Sequence, residues 1–88
     1  MNRVTFYTEN KFTDTITAYL NGHPKVQGYT LYTGVGYWNS TREENLTIVI
    51  IGELAYSEAK VIAKYIKELN KQEAVLFTIE SVISEVIS

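Results

Sequence analysis

An α+β fold of order β-α-β-β-α-β is predicted from three observations. Apolar residues alternate with period two in four runs, they repeat with helical period in two others, and the changes of period fall at Gly, Pro or strongly polar residues. Taken in that order, the elements predict a four-stranded antiparallel sheet with both helices on one face, plus a short C-terminal element.

Val4, Phe6 and Thr8 alternate with Thr5 and Tyr7, a first strand rich in the β-branched and aromatic side chains that suit a pleated surface. The period changes at Phe12. Phe12, Ile16, Tyr19 and Leu20 share one helical stripe, and Asn21-Gly22 ahead of Pro24 predicts a left-handed stop. Gly28 opens a second extended run, Tyr29 to Trp38. The polar segment Asn39-Ser40-Thr41-Arg42-Glu43-Glu44 then predicts a turn into a third strand, Leu46 to Ile51, apolar nearly throughout. After Gly52, Ser57 is the predicted cap of a second helix with Glu58 in its first turn. Ala59, Ile62, Ala63, Ile66 and Leu69 form its buried stripe, while Lys60, Lys64, Lys67 and Lys71 face water. Ala74 to Ile79 is the predicted fourth strand. In the tail, Val82, Ile83, Val86 and Ile87 repeat at four-residue intervals, which suits a helical turn or a short fifth strand. This is the split-βαβ or ferredoxin-like order, read as a single domain over residues 1–88.

Composition narrows the function classes. The 88 residues contain no Cys and one His, which excludes a disulfide framework, a thiolate zinc site and a cysteine nucleophile. A net charge of −2 argues against binding duplex nucleic acid, which needs a basic excess. No apolar run approaches the roughly 18 residues that cross a bilayer, and no signal peptide opens the chain, so no membrane partner and a cytoplasmic location are expected. Seven Tyr, three Phe and one Trp make the chain 12% aromatic, a high share for its size.

In the predicted sheet neither set of alternate residues carries a charge: Thr5, Tyr7, Thr30, Tyr32, Thr47, Val49, Ile51, Leu76 and Thr78 fall on one side. Two helices cover one face only. A second copy of the chain is the economical cover for the other, because large exposed apolar patches are uncommon on monomers. The apolar tail is expected to contribute to that contact.

The best candidate for a ligand site is Gly34-Val35-Gly36-Tyr37-Trp38 with Arg42. Glycines at 34 and 36 predict either a β-bulge or a place where a ligand approaches backbone. Tyr37 and Trp38, with Tyr32 on the same strand, offer rings for stacking. Arg42 offers a bidentate fork for phosphate or carboxylate. A third glycine and a following helix are missing, so the run is not a dinucleotide fingerprint. Glu43 and Glu44 are adjacent on a strand and point to opposite faces, which suits a solvated turn better than a catalytic pair. His23, between Gly22 and Pro24, reads as a loop histidine. No catalytic residue, metal ligand or cofactor is assigned.

The segment Gly28 to Trp38, the polar connection with Glu43-Glu44 and the strand Leu46 to Ile51 resemble the second and third strands of PII-like and CutA-like proteins. Gln72 to Thr78 is similar to their last strand. The resemblance implies trimers of ferredoxin-like subunits that bind adenine nucleotides or other small effectors between subunits. The connection after Trp38 is too short for the long target-gripping loop of signalling PII proteins. The resulting expectation is a non-catalytic homo-oligomer, a trimer by resemblance, that binds a nucleotide or similar small anion at subunit interfaces. It suits a sponge for a signalling nucleotide, including one encoded by a phage against host immunity. Two other readings remain: a small enzyme using the aromatic sheet face as a pocket, with His23 or a Glu as base, and a protein-interaction module.

Overall fold

Six elements follow the predicted order in a computed structural model that describes residues 1–88: β1 (Asn2–Glu9), α1 (Thr13–Asn21), β2 (Val26–Trp38), β3 (Thr41–Gly52), α2 (Tyr56–Asn70) and β4 (Leu76–Ser81). The strands form one sheet of order β2-β3-β1-β4 in which every pairing is antiparallel. The core is a single cluster. Val4 and Phe6 of β1 and Leu46, Ile48 and Ile50 of β3 pack against Ile16 and Leu20 of α1 and against Ala59, Ile62, Ala63 and Ile66 of α2. All five sheet residues have the same parity, so both helices cover one face, as predicted. Each large side chain buried there contributes about 1.5–3 kcal/mol.

The element ends differ from expectation. Phe12 is not part of the α1 stripe: it precedes the helix in the left-handed region (φ 50°), and its ring is exposed. That left-handed residue sets the turn into α1 directly before its first helical residue, Thr13. Gly22 is not left-handed either. With φ −86° it simply continues the last turn, its N–H donating to the Ala18 carbonyl at 3.2 Å. In α2 the cap position is Ala55, not Ser57. The Glu58 carboxylate accepts the Ala55 N–H at 3.0 Å, which is the half of a capping box that needs no polar side chain at the cap position. The stripe Ala59, Ile62, Ala63, Ile66 is buried and Leu69 partly so, with the four lysines exposed. β4 begins at Leu76, because the Gln72 amide donates to the Ala74 carbonyl at 3.2 Å and holds the connection in a turn. The tail forms neither helix nor fifth strand. Val82 N–H donates to the Met1 carbonyl at 2.9 Å, and beyond it Ile83, Val86 and Ile87 are exposed.

The largest departure is the β2–β3 connection. Only Asn39 and Ser40 form the turn, with φ 49° and 64°, the paired left-handed geometry that matches strand twist in a two-residue hairpin. Thr41 to Glu44 are strand, paired with Trp38 to Val35. They are polar because no helix or third strand lies behind them: β1 follows β3 only as far as the Glu9–Asn45 pair. Beyond that pair the two strands continue as a free arm, which draws the molecule out to 41 × 23 × 21 Å. The irregularity in β2 lies between Val26 and Gly28 and not at the later glycines.

Two substitutions test this backbone. A Cβ at Gly52 would overlap the Lys25 carbonyl oxygen, which must lie close because it accepts the Glu53 N–H at 3.2 Å. Gly52→Ala is expected to cost about 1–3 kcal/mol in urea denaturation, and an unchanged midpoint would contradict the close crossing. Ser40→Gly relieves a left-handed non-glycine residue and is expected to stabilise by about 1 kcal/mol, read as a higher Tm.

Candidate functional site

Strand parity assigns the face that the helices leave bare. Thr5, Thr30, Thr47, Val49, Ile51 and Thr78 occupy its centre, uncharged as expected. Its margins are charged, contrary to expectation, because the strands run further than their apolar stretches. Arg3 opposite Glu80 forms a forked ion pair, Nη2 lying 3.1 Å from both carboxylate oxygens. Glu9 and Glu43 fall on the same side at the other end.

That end holds a cleft of about 650 Å³ where the arm leaves the sheet. The arm supplies Gly36, Tyr37, Trp38, Thr41, Glu43 and Asn45 to its wall. Tyr7 and Glu9 of β1 form the floor, and Gln72, Glu73, Ala74 and Leu76 close the far side. Trp38, 55% exposed, projects on the cleft side and its ring is available for stacking, whereas Tyr37, 69% exposed and paired with Arg42, borders the cleft while parity sends its ring to the opposite face. Of the residues singled out from sequence, Gly36, Tyr37 and Trp38 are brought together here. Tyr32 and Gly34 lie further down β2, opposite Thr47 and Asn45. Arg42 stands opposite Tyr37, and its Nη1 is 3.2 Å from the Glu44 carboxylate. The two glycines differ in their surroundings. A side chain at Gly34 would meet open space, whereas one at Gly36 would press within 3.2 Å of Asn45 Cβ and Cγ. Gly36 thus leaves room for Asn45 beside the cleft.

The cleft lining includes Glu9, Glu43 and Glu73 and no Lys, Arg or His. The Glu9 carboxylate is 2.8 Å from Lys11 Nζ. Partial burial pushes the Glu43 carboxyl up from its ordinary range, and the neighbouring Glu9 adds to the rise through its negative charge and by accepting a hydrogen bond from the protonated form; Lys11 opposes both. Glu44 lies on the opposite face of the strand, as parity requires. His23 stands apart from the cleft, its Nδ1 accepting the Lys25 N–H at 3.2 Å and its ring edge-on to Tyr19.

Beneath the cleft is a polar anchor that the sequence reading did not identify. Asn70 is 2% exposed at the end of α2. Its Nδ2 donates to Gln72 Oε1 at 2.9 Å, Thr8 Oγ1 at 3.2 Å and the Glu9 carbonyl at 3.3 Å. The Glu9 N–H and Thr8 hydroxyl also donate to Gln72 Oε1. These bonds tie the end of β1 to the α2–β4 connection and so fix the floor against the far wall. Glu9 continues the parity of Tyr7, a signal that was present in the sequence; nothing local marked Asn70 or Gln72.

No group of three or more His, Cys, Asp or Glu side chains is placed to hold a metal ion, and no helix is long and apolar enough to cross a membrane. No protein-family model and no curated protein sequence matches the chain. Solved structures do match it. A DUF3240 family protein from Shewanella baltica OS155 superposes with a TM-score of 0.74 at 13% identity, over 99% of this chain and 94% of that one. GlnK from Bacillus subtilis, solved as a complex with ATP, gives 0.63 at 13% identity over 92% and 80% of the two chains. A putative PII-like signalling protein from Thermus thermophilus gives 0.54 at 19% identity over 90% and 82%. The fold is PII-like. Within that fold, the chain joins β2 to β3 through a two-residue turn, shorter than the whole polar segment 39–44 expected from sequence.

The carboxyl pair makes the stability of this PII-like chain depend on pH in a definite direction. Glu43 holds its proton more tightly folded than unfolded, so the associated stability is complete below the ordinary Glu range and is lost as pH rises through the elevated folded value. Glu43→Gln is therefore expected to match the parent below about pH 4 and to exceed it in Tm near about pH 7. A difference that instead widens toward acid would overturn this assignment.

Proposed function

We propose that the chain is a non-catalytic, homo-oligomeric binding protein that holds a nucleotide where copies meet. The observation that carries this reading is the cleft of about 650 Å³ with the exposed Trp38 at its wall and a glycine, Gly36, beside it on the same side of the strand. A flat ring stacked there gains roughly 1–3 kcal/mol and needs little side-chain rearrangement. The likeness in fold to a GlnK solved with ATP supports the ligand class. One chain offers the cleft no cation, so phosphate charge in this reading is met from a neighbouring copy, with Arg42 as the suited donor. The uncharged centre of the bare face and the exposed tail residues Ile83, Val86 and Ile87 are the surfaces on which copies join. Retention without turnover suits sequestration of a signalling nucleotide, the role a phage-encoded sponge would need.

A second reading draws on the raised Glu43 carboxyl beside Glu9. A carboxylic acid and a carboxylate at one cleft are the equipment of general acid–base catalysis. In that case nucleotide incubated with the protein is converted, and conversion stops in Glu43→Gln.

Native mass spectrometry of the purified protein, repeated after denaturation, tests the first reading by reporting subunit number and retained ligand together. A defined oligomer that carries or takes up nucleotide unchanged is expected, with Trp38→Ala weakening uptake by roughly tenfold. A monomer that binds no adenine or cyclic nucleotide in a thermal-shift panel would sink the proposal.

A further inference from the structure

The sign of the cleft conflicts with the simplest way of placing a nucleotide in it. Glu9, Glu43 and Glu73 line it and no basic residue does; Lys11 is engaged with Glu9 at 2.8 Å, and Arg42 with Glu44 at 3.2 Å on the other face. A phosphate inside would stand among like charges. A nucleobase would not, because carboxylates accept hydrogen bonds and an exocyclic amine has two to donate. Trp38, Gly36 and Glu43 occupy alternate or paired positions on one side of the arm, Gly36 directly opposite Glu43 and Trp38 opposite Thr41. A ring stacked on Trp38 therefore lies over the glycine with its edge toward the carboxyl pair.

Building on the nucleotide reading, we propose that the ligand enters base first, and that Glu43 with Glu9 reads the exocyclic amine of the base while the phosphates remain outside the cleft. The ligand class is then a base with an amine in place of the keto oxygen, adenine or cytosine, and Glu43 is the specificity-determining residue. Two features of the site make the readout selective. The Glu9 backbone is fixed by hydrogen bonds to Asn70 and Gln72, and Lys11 Nζ, 2.8 Å from one oxygen of its carboxylate, restrains the acceptor itself. A base that presents a carbonyl where the amine belongs, hypoxanthine for adenine or uracil for cytosine, brings an acceptor against the Glu9 carboxylate and keeps only one ring N–H to donate in place of the amine's two hydrogens.

Trp38 is the only tryptophan, so its fluorescence reports occupancy of the site in the unmodified chain. Titrations with AMP and IMP, with CMP and UMP, with adenosine and with ribose 5-phosphate separate the contributions. AMP and CMP are expected to quench Trp38 at concentrations roughly 10- to 100-fold lower than IMP and UMP. Adenosine should still quench, and ribose 5-phosphate should not. Glu43→Ala should erase the AMP-to-IMP ratio, while Glu44→Ala, on the same strand but the opposite face, should leave it intact. If IMP quenches as well as AMP, or ribose 5-phosphate competes with AMP, amine readout is overturned and nucleotide binding stands. If none of these compounds quenches and none is retained in the native mass spectrum, nucleotide binding itself fails, and the amine readout falls with it.

Discussion

Burial of one parity of side chains on β1 and β3 is the constraint on which everything else in this molecule depends. Val4 and Phe6 with Leu46, Ile48 and Ile50 must lie under Ile16, Leu20, Ile62 and Ile66, since no other arrangement removes them from water. A slip of one residue in the β1–β3 pairing would turn that whole set outward, so the register is fixed by many side chains acting together. Once it is fixed, the positions of the remaining strand residues follow without further choice. Glu9 comes opposite Asn45, Glu43 opposite Gly36, and Arg42 is sent to the other side. The cleft is a consequence of core parity projected along an arm that has no core of its own.

The arm's geometry also explains why polar and aromatic residues meet there. An isolated two-stranded ribbon is marginal in water, and this one is supported only at its root, where the Asn10 N–H donates to the Glu44 carbonyl at 2.9 Å. The network of Asn70, Thr8, Gln72 and the Glu9 backbone lies directly under that root. Buried polar groups of this kind hold position well when satisfied and are costly when broken. In this network the Asn70 Nδ2 is fully used while its Oδ1 is buried without a partner, so the floor is tied at three points and the exposed Trp38 wall is not.

Much of the fold could be read from the sequence, because alternation in Val4 to Thr8 and Leu46 to Ile51 and the helical stripe from Ala59 to Ile66 each have one physical explanation. What misled was the assumption that charged residues mark a loop. Arg42, Glu43 and Glu44 are charged because both faces of the arm meet water, not because the backbone turns there. Asn39-Ser40 lacks the glycine that usually announces a two-residue hairpin turn. The aromatic and glycine part of the candidate site was visible for the same reason the strands were, as neighbours on one run. The carboxyl pair was not, because Glu9 and Glu43 are brought together by register across the sheet, which no local pattern of either segment encodes.

The two edges of the sheet are different strands, β2 on one side and β4 on the other. Pairing of β2 with its own image would create a two-fold interface that uses the same surface on both copies and stops at two. An assembly with an odd number of subunits must join unlike surfaces, each copy giving one and receiving the other around a closed ring. In such a ring every arm meets a surface different from the one that carries it, and the number of clefts equals the number of subunits. An odd number of subunits therefore rules out an assembly built only from edge-to-edge pairs and requires a ring in which each copy meets an unlike surface of its neighbour.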